Sequence, residues 1–282
     1  MTDPVPAVAE SVATGEIAAI FADIRQILGV DVVNLIWRHL ATIDGALPWA
    51  WKTLRPLYVD GSVGSEATML HESLALPPVP KIPAALFTTQ GLLPDDMAAI
   101  RDVLAAYDHT NAMALVALLA LRARLDGHSP PNSEPANRLP AAAPRIGLPR
   151  LLDLNEMQPA TATLVAALNG LGTRRSGAVL ASMYRHLAHW PSYLAFAWLL
   201  LAPLDGDGRL AAAIDGTHRA ARIRADRLSA QPGDLAASIS PALAAAIRTA
   251  IAPFVDDVLA KMVVVCAFLR HATESAIAHD DD

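Results

Sequence analysis

The feature that most constrains this chain is a long match to itself. VVNLIWRHLATIDGALPWAWKTLRPLYVDG, from Val32 to Gly61, lies without a gap against VLASMYRHLAHWPSYLAFAWLLLAPLDGDG, from Val179 to Gly208. Arg38 and Arg185, His39 and His186, Trp51 and Trp198, Pro56 and Pro203, and Gly61 and Gly208 are identical pairs, each 147 positions apart. The same offset carries His71 onto His218, Pro94 onto Pro241, and Ile100 with Arg101 onto Ile247 with Arg248. Such a register marks a duplication, and two copies with matching apolar faces pack as an isologous dimer does. The expected fold is all-α: two tandem helical repeats related by a pseudo-twofold axis, a pseudo-dimer in one chain.

The residue types agree with helices. Apolar residues make up 53% of the chain, much of it alanine, the best helix former, whereas alternating β-branched runs are scarce. Ile17, Ile20, Phe21, Ile24 and Leu28 share one helical face that stops before Gly29. Further helices are expected from Val32 to Ile43 and from Leu47 to Leu54, the latter ending at Pro56. A turn-rich stretch and the extended segment LALPPVPKIP follow. Pro94, followed by Asp95 and Asp96, suits a helix start, and that helix should yield to a long apolar one through Asn111 to Arg124. GHSPPNSEPANRLPAAAP lacks apolar periodicity and reads as a linker. The expected organisation is a first repeat over 1–125, a Pro-rich linker over 126–150 and a second repeat over 151–282.

Several function classes are disfavoured. A net charge of −6 and a pI near 5.8 give no general attraction for nucleic acid or anionic lipid. The first residues are acidic where a signal peptide needs basic ones, and no uninterrupted apolar run reaches about 18 residues, so a cytoplasmic location is expected, with no membrane partner. The single cysteine, Cys266, lies in an apolar run and reads as a small buried hydrophobe. Gly-rich phosphate loops, paired CxxC, HExxH and GxSxG are all absent, and the histidines have no metal-ligand spacing. No cofactor or metal is implied.

The repeated Arg-His-Leu-Ala element is the most conspicuous polar feature. It reads either as an anion-binding arginine beside an acid or base histidine, or as a structural joint, and its retention in both copies favours the joint. Residues that the copies do not share are more informative. Asn34 faces Ala181, Leu35 faces Ser182, Trp37 faces Tyr184, and Asn111 faces Val258. Asn111 stands within NAMALVALLAL, where an unbonded amide costs about 1–3 kcal/mol. It either ties two helices together or lines a ligand pocket with Asn34, Ser182 and Tyr184.

V-N-x-x-x-R-x-L-A, then W-x-x-L-x-P-L, a Pro-rich linker and a second copy with Y-R-x-L-A-x-W-P-x-x-L resemble the group I 2-haloacid dehalogenases, which accept both enantiomers of a 2-halocarboxylic acid. The similarity runs from about Ile17 to Phe268. It implies an all-α pseudo-dimer, distantly similar to alkylhydroperoxidase D-like proteins, with one active site between the repeats. The implied partner is a small carboxylic acid, and a homodimer is compatible with it. The implied chemistry is direct displacement of halide by a water that an aspartate activates and an asparagine helps to hold. Asn111 matches that asparagine, and Asn34, Trp37 and Tyr184 fall at substrate-binding positions. The aspartate has no counterpart: Ser182 stands at or next to its place, and no carboxylate occurs from Gly170 to Trp190. A serine hydroxyl cannot by itself take a proton from water near neutral pH. His186, one helical turn on, and Asp108 are the replacement bases to consider, and hydrolysis is expected to be weak or absent; the alternative is a non-catalytic relative of the same fold that binds a small ligand or serves as a scaffold.

Overall fold

Helix α1 (Gly15–Leu28) ends where Gly29 adopts φ +68° and returns its N–H to the Arg25 carbonyl, a left-handed cap that favours glycine. The computed structural model describes residues 5–80, 82–128, 146–173, 179–229 and 239–275. Short helix α2 (Leu35–Leu40) is followed by α3 (Ala46–Val59), α4 (Ser62–Glu72), α5 (Ala84–Thr89) and the long α6 (Pro94–Leu125). The second half supplies α7 (Pro159–Gly170), α8 (Ser182–Leu187), α9 (Pro191–Gly206), α10 (Arg209–Ser229), α11 (Pro241–Pro253) and α12 (Leu259–Ser275). A π-turn, Phe254–Val258, joins the last two. The described residues are largely helical and contain no strand beyond one isolated bridge, between Val30 and Ile146. That bridge ties the described end of the expected linker to the first half; positions 129–145 of the linker lie outside the described residues.

Helix starts recur across the halves. Leu35 and Ser182, Ser62 and Arg209, and Pro94 and Pro241 open α2 and α8, α4 and α10, and α6 and α11, each 147 positions apart. Gly61 and Gly208 precede α4 and α10 with φ of +83° and +82°, so both retained glycines hold a backbone conformation that a side chain would strain. The packing pairs match too, α1 on α3 as α7 on α9, and α3 on α4 as α9 on α10.

Four helix expectations need correction. Helix α2 is only six residues long and its chain turns before Ile43. Helix α3 runs through Pro56 to Val59, because the carbonyl that loses its partner is that of Lys52, which is exposed to water. The turn-rich stretch is helix α4, in which Val63, Ala67 and Leu70 are buried at helical spacing. The two helices expected between Pro94 and Arg124 are one.

Helix α6 is long and apolar enough to cross a bilayer, but 89% of its most apolar window is buried within the protein. It packs most extensively on α12 and α10. Leu115, Leu118 and Leu121 are fully buried, each contributing about 1.5–3 kcal/mol relative to exposure. Where α6 is regular, its counterpart is interrupted just after Pro253, whose missing N–H leaves a carbonyl of the preceding turn without a partner. The interruption adds one residue. The ion pairs Asp108–Arg270 and Asp256–Arg122, both 2.5 Å, accordingly relate residues 148 positions apart, Asp108 to Asp256 and Arg122 to Arg270.

Candidate functional site

The short helices α2 and α8 aim their first turns at α6 and at the π-turn. Between these elements lies a cavity lined by Asn34, Leu35 and Ile36, by Val179 and Ala181 to Met183, by Tyr107 and Asn111, and by Phe254, Val258, Leu259 and Met262. Its space for water centres is about 30 Å³, above the roughly 10–15 Å³ that one water requires. Ten of these residues form five pairs: Asn34 and Ala181, Leu35 and Ser182, Ile36 and Met183, and Tyr107 and Phe254 are 147 positions apart, while Asn111, beyond the extra residue of the π-turn, corresponds to Leu259, 148 positions on, rather than to Val258. In four of the five pairs one member is polar and the other apolar. The lining therefore carries four polar residues, Asn34, Tyr107, Asn111 and Ser182, each matched by an apolar residue at the equivalent position.

A hydrogen-bond chain runs back from two of these polar residues, Ser182 and Tyr107. Arg38 donates Nε to the Val33 carbonyl at 3.1 Å and Nη2 to Ser182 Oγ at 3.4 Å. The Tyr107 hydroxyl is hydrogen-bonded to Ser182 and to Nδ1 of His186 at 2.8 Å. His186 is also bonded to the backbone of Pro149, which has only a carbonyl to offer, so the other ring nitrogen carries the hydrogen and Nδ1 accepts from Tyr107. Burial, then the positive charges of His189, Arg185 and Arg38, push the His186 imidazole down to about 3. Burial also drives the Tyr107 hydroxyl well above its usual range. At neutral pH the four polar residues facing the cavity are uncharged, and the nearest buried charge is Arg38, behind Ser182.

Asn169 holds the wall in shape. Its side chain donates Nδ2 to the Val179 carbonyl at 3.1 Å and accepts from the Ala181 N–H at 3.0 Å. Its own carbonyl accepts from Lys261 Nζ at 2.8 Å. Lys261 is fully buried, and burial brings its ammonium down to about 8, against the opposing charges of Asp257 and Asp205.

Three of the six sequence-derived site residues, Asn34, Asn111 and Ser182, line the cavity. Trp37 and Tyr184 do not: both are fully buried, Trp37 in edge contacts with Trp51 and Tyr58, and Trp37 Nε1 and the Tyr184 hydroxyl have no hydrogen-bond partner. His186 reaches the cavity only through Tyr107. Asp108 faces a separate crevice with His71, His109 and Arg270. There burial would raise its carboxyl, but bonds to His71 at 2.9 Å and Arg270 at 2.5 Å outweigh that and hold it below the usual range. Cys266 is buried, its thiol pushed up by burial. The sequence reading missed Tyr107 and Phe254; Tyr107 stands one helical turn before Asn111, which was the available signal.

No family model matches the chain. A configuration-inverting 2-haloacid dehalogenase of Alcaligenes xylosoxydans xylosoxydans is 27% identical over 201 residues, 69% of this chain and 68% of that protein. Among solved structures, a D-2-haloacid dehalogenase mutant superposes with a TM-score of 0.77 at 20% identity, covering 95% of this chain and 96% of that one. A complex of D-2-haloacid dehalogenase mutant with D-2-CPA gives 0.74 at 19% identity, covering 96% of each chain. The chain is thus homologous to a 2-haloacid dehalogenase in sequence and shares the fold of the D-2-haloacid enzymes.

Proposed function

From that homology we propose that this chain is a 2-haloacid dehalogenase-like protein whose cavity takes a short 2-halocarboxylic acid and supports displacement of its halide by water only slowly. The two halves are read as copies about a pseudo-twofold axis through the cavity, which the five paired lining positions support. The apolar lining residues suit the carbon chain and halogen, and the buried charge of Arg38 behind Ser182 favours a carboxylate. No cofactor is invoked, and the expected setting is cytoplasmic.

In the reaction, an oxygen lone pair of water attacks the α-carbon. The carbon–halogen pair leaves with the halide, and a water proton must be taken up. A general base contributes about 10² to 10⁴ in rate when its pKa lies near the working pH. The observation that carries the proposal is that the polar residues of the cavity wall include no carboxylate: its titratable member, Tyr107, is a poor base, and so is His186 behind it. The uncharged wall favours one second reading, a non-catalytic relative that binds a small acid.

Halide release from both enantiomers of 2-chloropropionate, measured on native protein, Ser182→Asp and His186→Ala, separates these readings. Slow native release that rises in Ser182→Asp supports the proposal. Binding without release in any variant favours the second reading. Fast native release that survives His186→Ala would overturn the claim that the cavity lacks an effective base.

A further inference from the structure

Lys261, on α12, is fully buried, and its ammonium is held at the end of α7. Nζ donates to the Thr173 hydroxyl at 2.7 Å and to the Asn169 carbonyl at 2.8 Å, while the Thr173 hydroxyl gives its own hydrogen to the same carbonyl at 2.8 Å. The three groups close a triangle. From it the Asn169 side chain reaches across to the Val179 carbonyl and the Ala181 N–H, and Val179, Ala181 and the adjoining Ser182 line the cavity. One residue therefore separates the buried charge from the cavity wall. Burying an ammonium costs free energy that the hydrogen bonds made to it must offset. At the 148-residue offset that holds beyond the π-turn, the first half has the buried Met113 instead, so packing at this place on the helix does not call for a lysine.

We propose that Lys261 is a positioning residue of the cavity, whose ammonium, acting through Asn169, holds the wall at Val179 and Ala181 in the form that takes a short 2-halocarboxylic acid. The inference rests on the reading of the cavity as a small-acid site and names the group behind the wall on which binding depends. The positive charge strengthens both bonds of the ammonium, so loss of its proton loosens the triangle and the wall with it. Burial brings the ammonium down to about 8, against Asp257 of the π-turn and Asp205 of α9, the charged groups that act to keep it. The proton thus leaves in a range where Tyr107 keeps its hydrogen and His186 stays neutral. If the charged form binds the acid better, the bound acid must by the same factor hold the proton on Lys261.

2-Chloropropionate is titrated calorimetrically into native protein and Lys261→Met across the pH range that spans this deprotonation, in buffers of different ionisation enthalpy. The native affinity should fall by at least about fivefold from the acid to the alkaline end, with protons taken up on binding near pH 8. Lys261→Met should bind at every pH about as weakly as the native protein does at the alkaline end, without that uptake. A lysine that served the fold alone would alter the melting temperature of the variant and leave the affinity of folded protein independent of pH. A native affinity that is flat with pH, or a folded Lys261→Met that keeps the native affinity and profile, overturns the inference while leaving the small-acid reading intact. If Lys261→Met does not fold, the native profile and its proton uptake decide the matter. If the native protein does not bind 2-chloropropionate at any pH, the small-acid reading fails, and the inference with it.

Discussion

Tyr107 gives its hydroxyl hydrogen to Nδ1 of His186 at 2.8 Å, joining the long helix of the first half to the short helix α8 of the second. The bond requires a neutral imidazole. With His186 brought from 6.5 to about 3, the unfolded chain takes up a proton well before the folded one, so stability is complete above pH 6.5 and falls as the pH drops toward 3. Urea unfolding of native protein and His186→Gln between pH 6.5 and 5 should show a steeper acid loss for the native chain, by up to a few kcal/mol across the full range. Equal slopes would mean that His186 is not held neutral.

His71 works in the opposite sense. Its ring nitrogens face two acceptors, the Ala67 carbonyl at 3.1 Å and Asp108 at 2.9 Å, so both carry hydrogen. Burial lowers the imidazole, but Asp108 outweighs it and the net shift is upward. This stabilisation is present below the ordinary histidine range and is lost as the pH rises through the raised folded value. In Asp108→Asn, the His71 titration followed by NMR should move down and stability should fall by on the order of 2 kcal/mol. The more exposed counterpart, Asp256→Asn, should cost less than about 1 kcal/mol. Equal losses would remove the distinction between the two ion pairs.

The π-turn sets the register of α12. Deleting Asp256 would rotate every later residue of that helix by about 100° and carry Arg270 away from Asp108, whereas Asp256→Ala keeps the register. The deletion should lower the melting temperature far more than the substitution. Melting temperatures within a degree or two of each other would show that the extra residue is dispensable.

Asn169→Ala leaves a buried carbonyl at Val179 and a buried N–H at Ala181 without their side-chain partner, a loss of about 1–3 kcal/mol. Because these residues form the cavity wall, affinity for a small acid should weaken along with stability. Asn169→Asp keeps one acceptor for the Ala181 N–H and should recover part of both. An unchanged affinity in Asn169→Ala would separate the wall from binding.

Some of this protein was legible in its residues alone. The 147-residue offset, carried by pairs such as Arg38 and Arg185, predicted matched helix starts, and the alanine-rich apolar content predicted helices. Both are local or self-referential signals that spacing and propensity express directly. The divergent pairs Asn34 with Ala181, Leu35 with Ser182 and Asn111 with Val258 also pointed to positions that the cavity brings together. Tertiary structure decided the rest. Trp37 and Tyr184 diverge as well, yet their turn of the helix points into the core, a matter of rotation about a six-residue helix too short for periodicity to orient. Asp108 lies three residues from Asn111 but faces another crevice, because His71 and Arg270, distant in sequence, draw its carboxylate there. The one-residue π-turn and the hold of Lys261 on Asn169 depend on which bonds are already taken by neighbours far along the chain, and no local pattern records that.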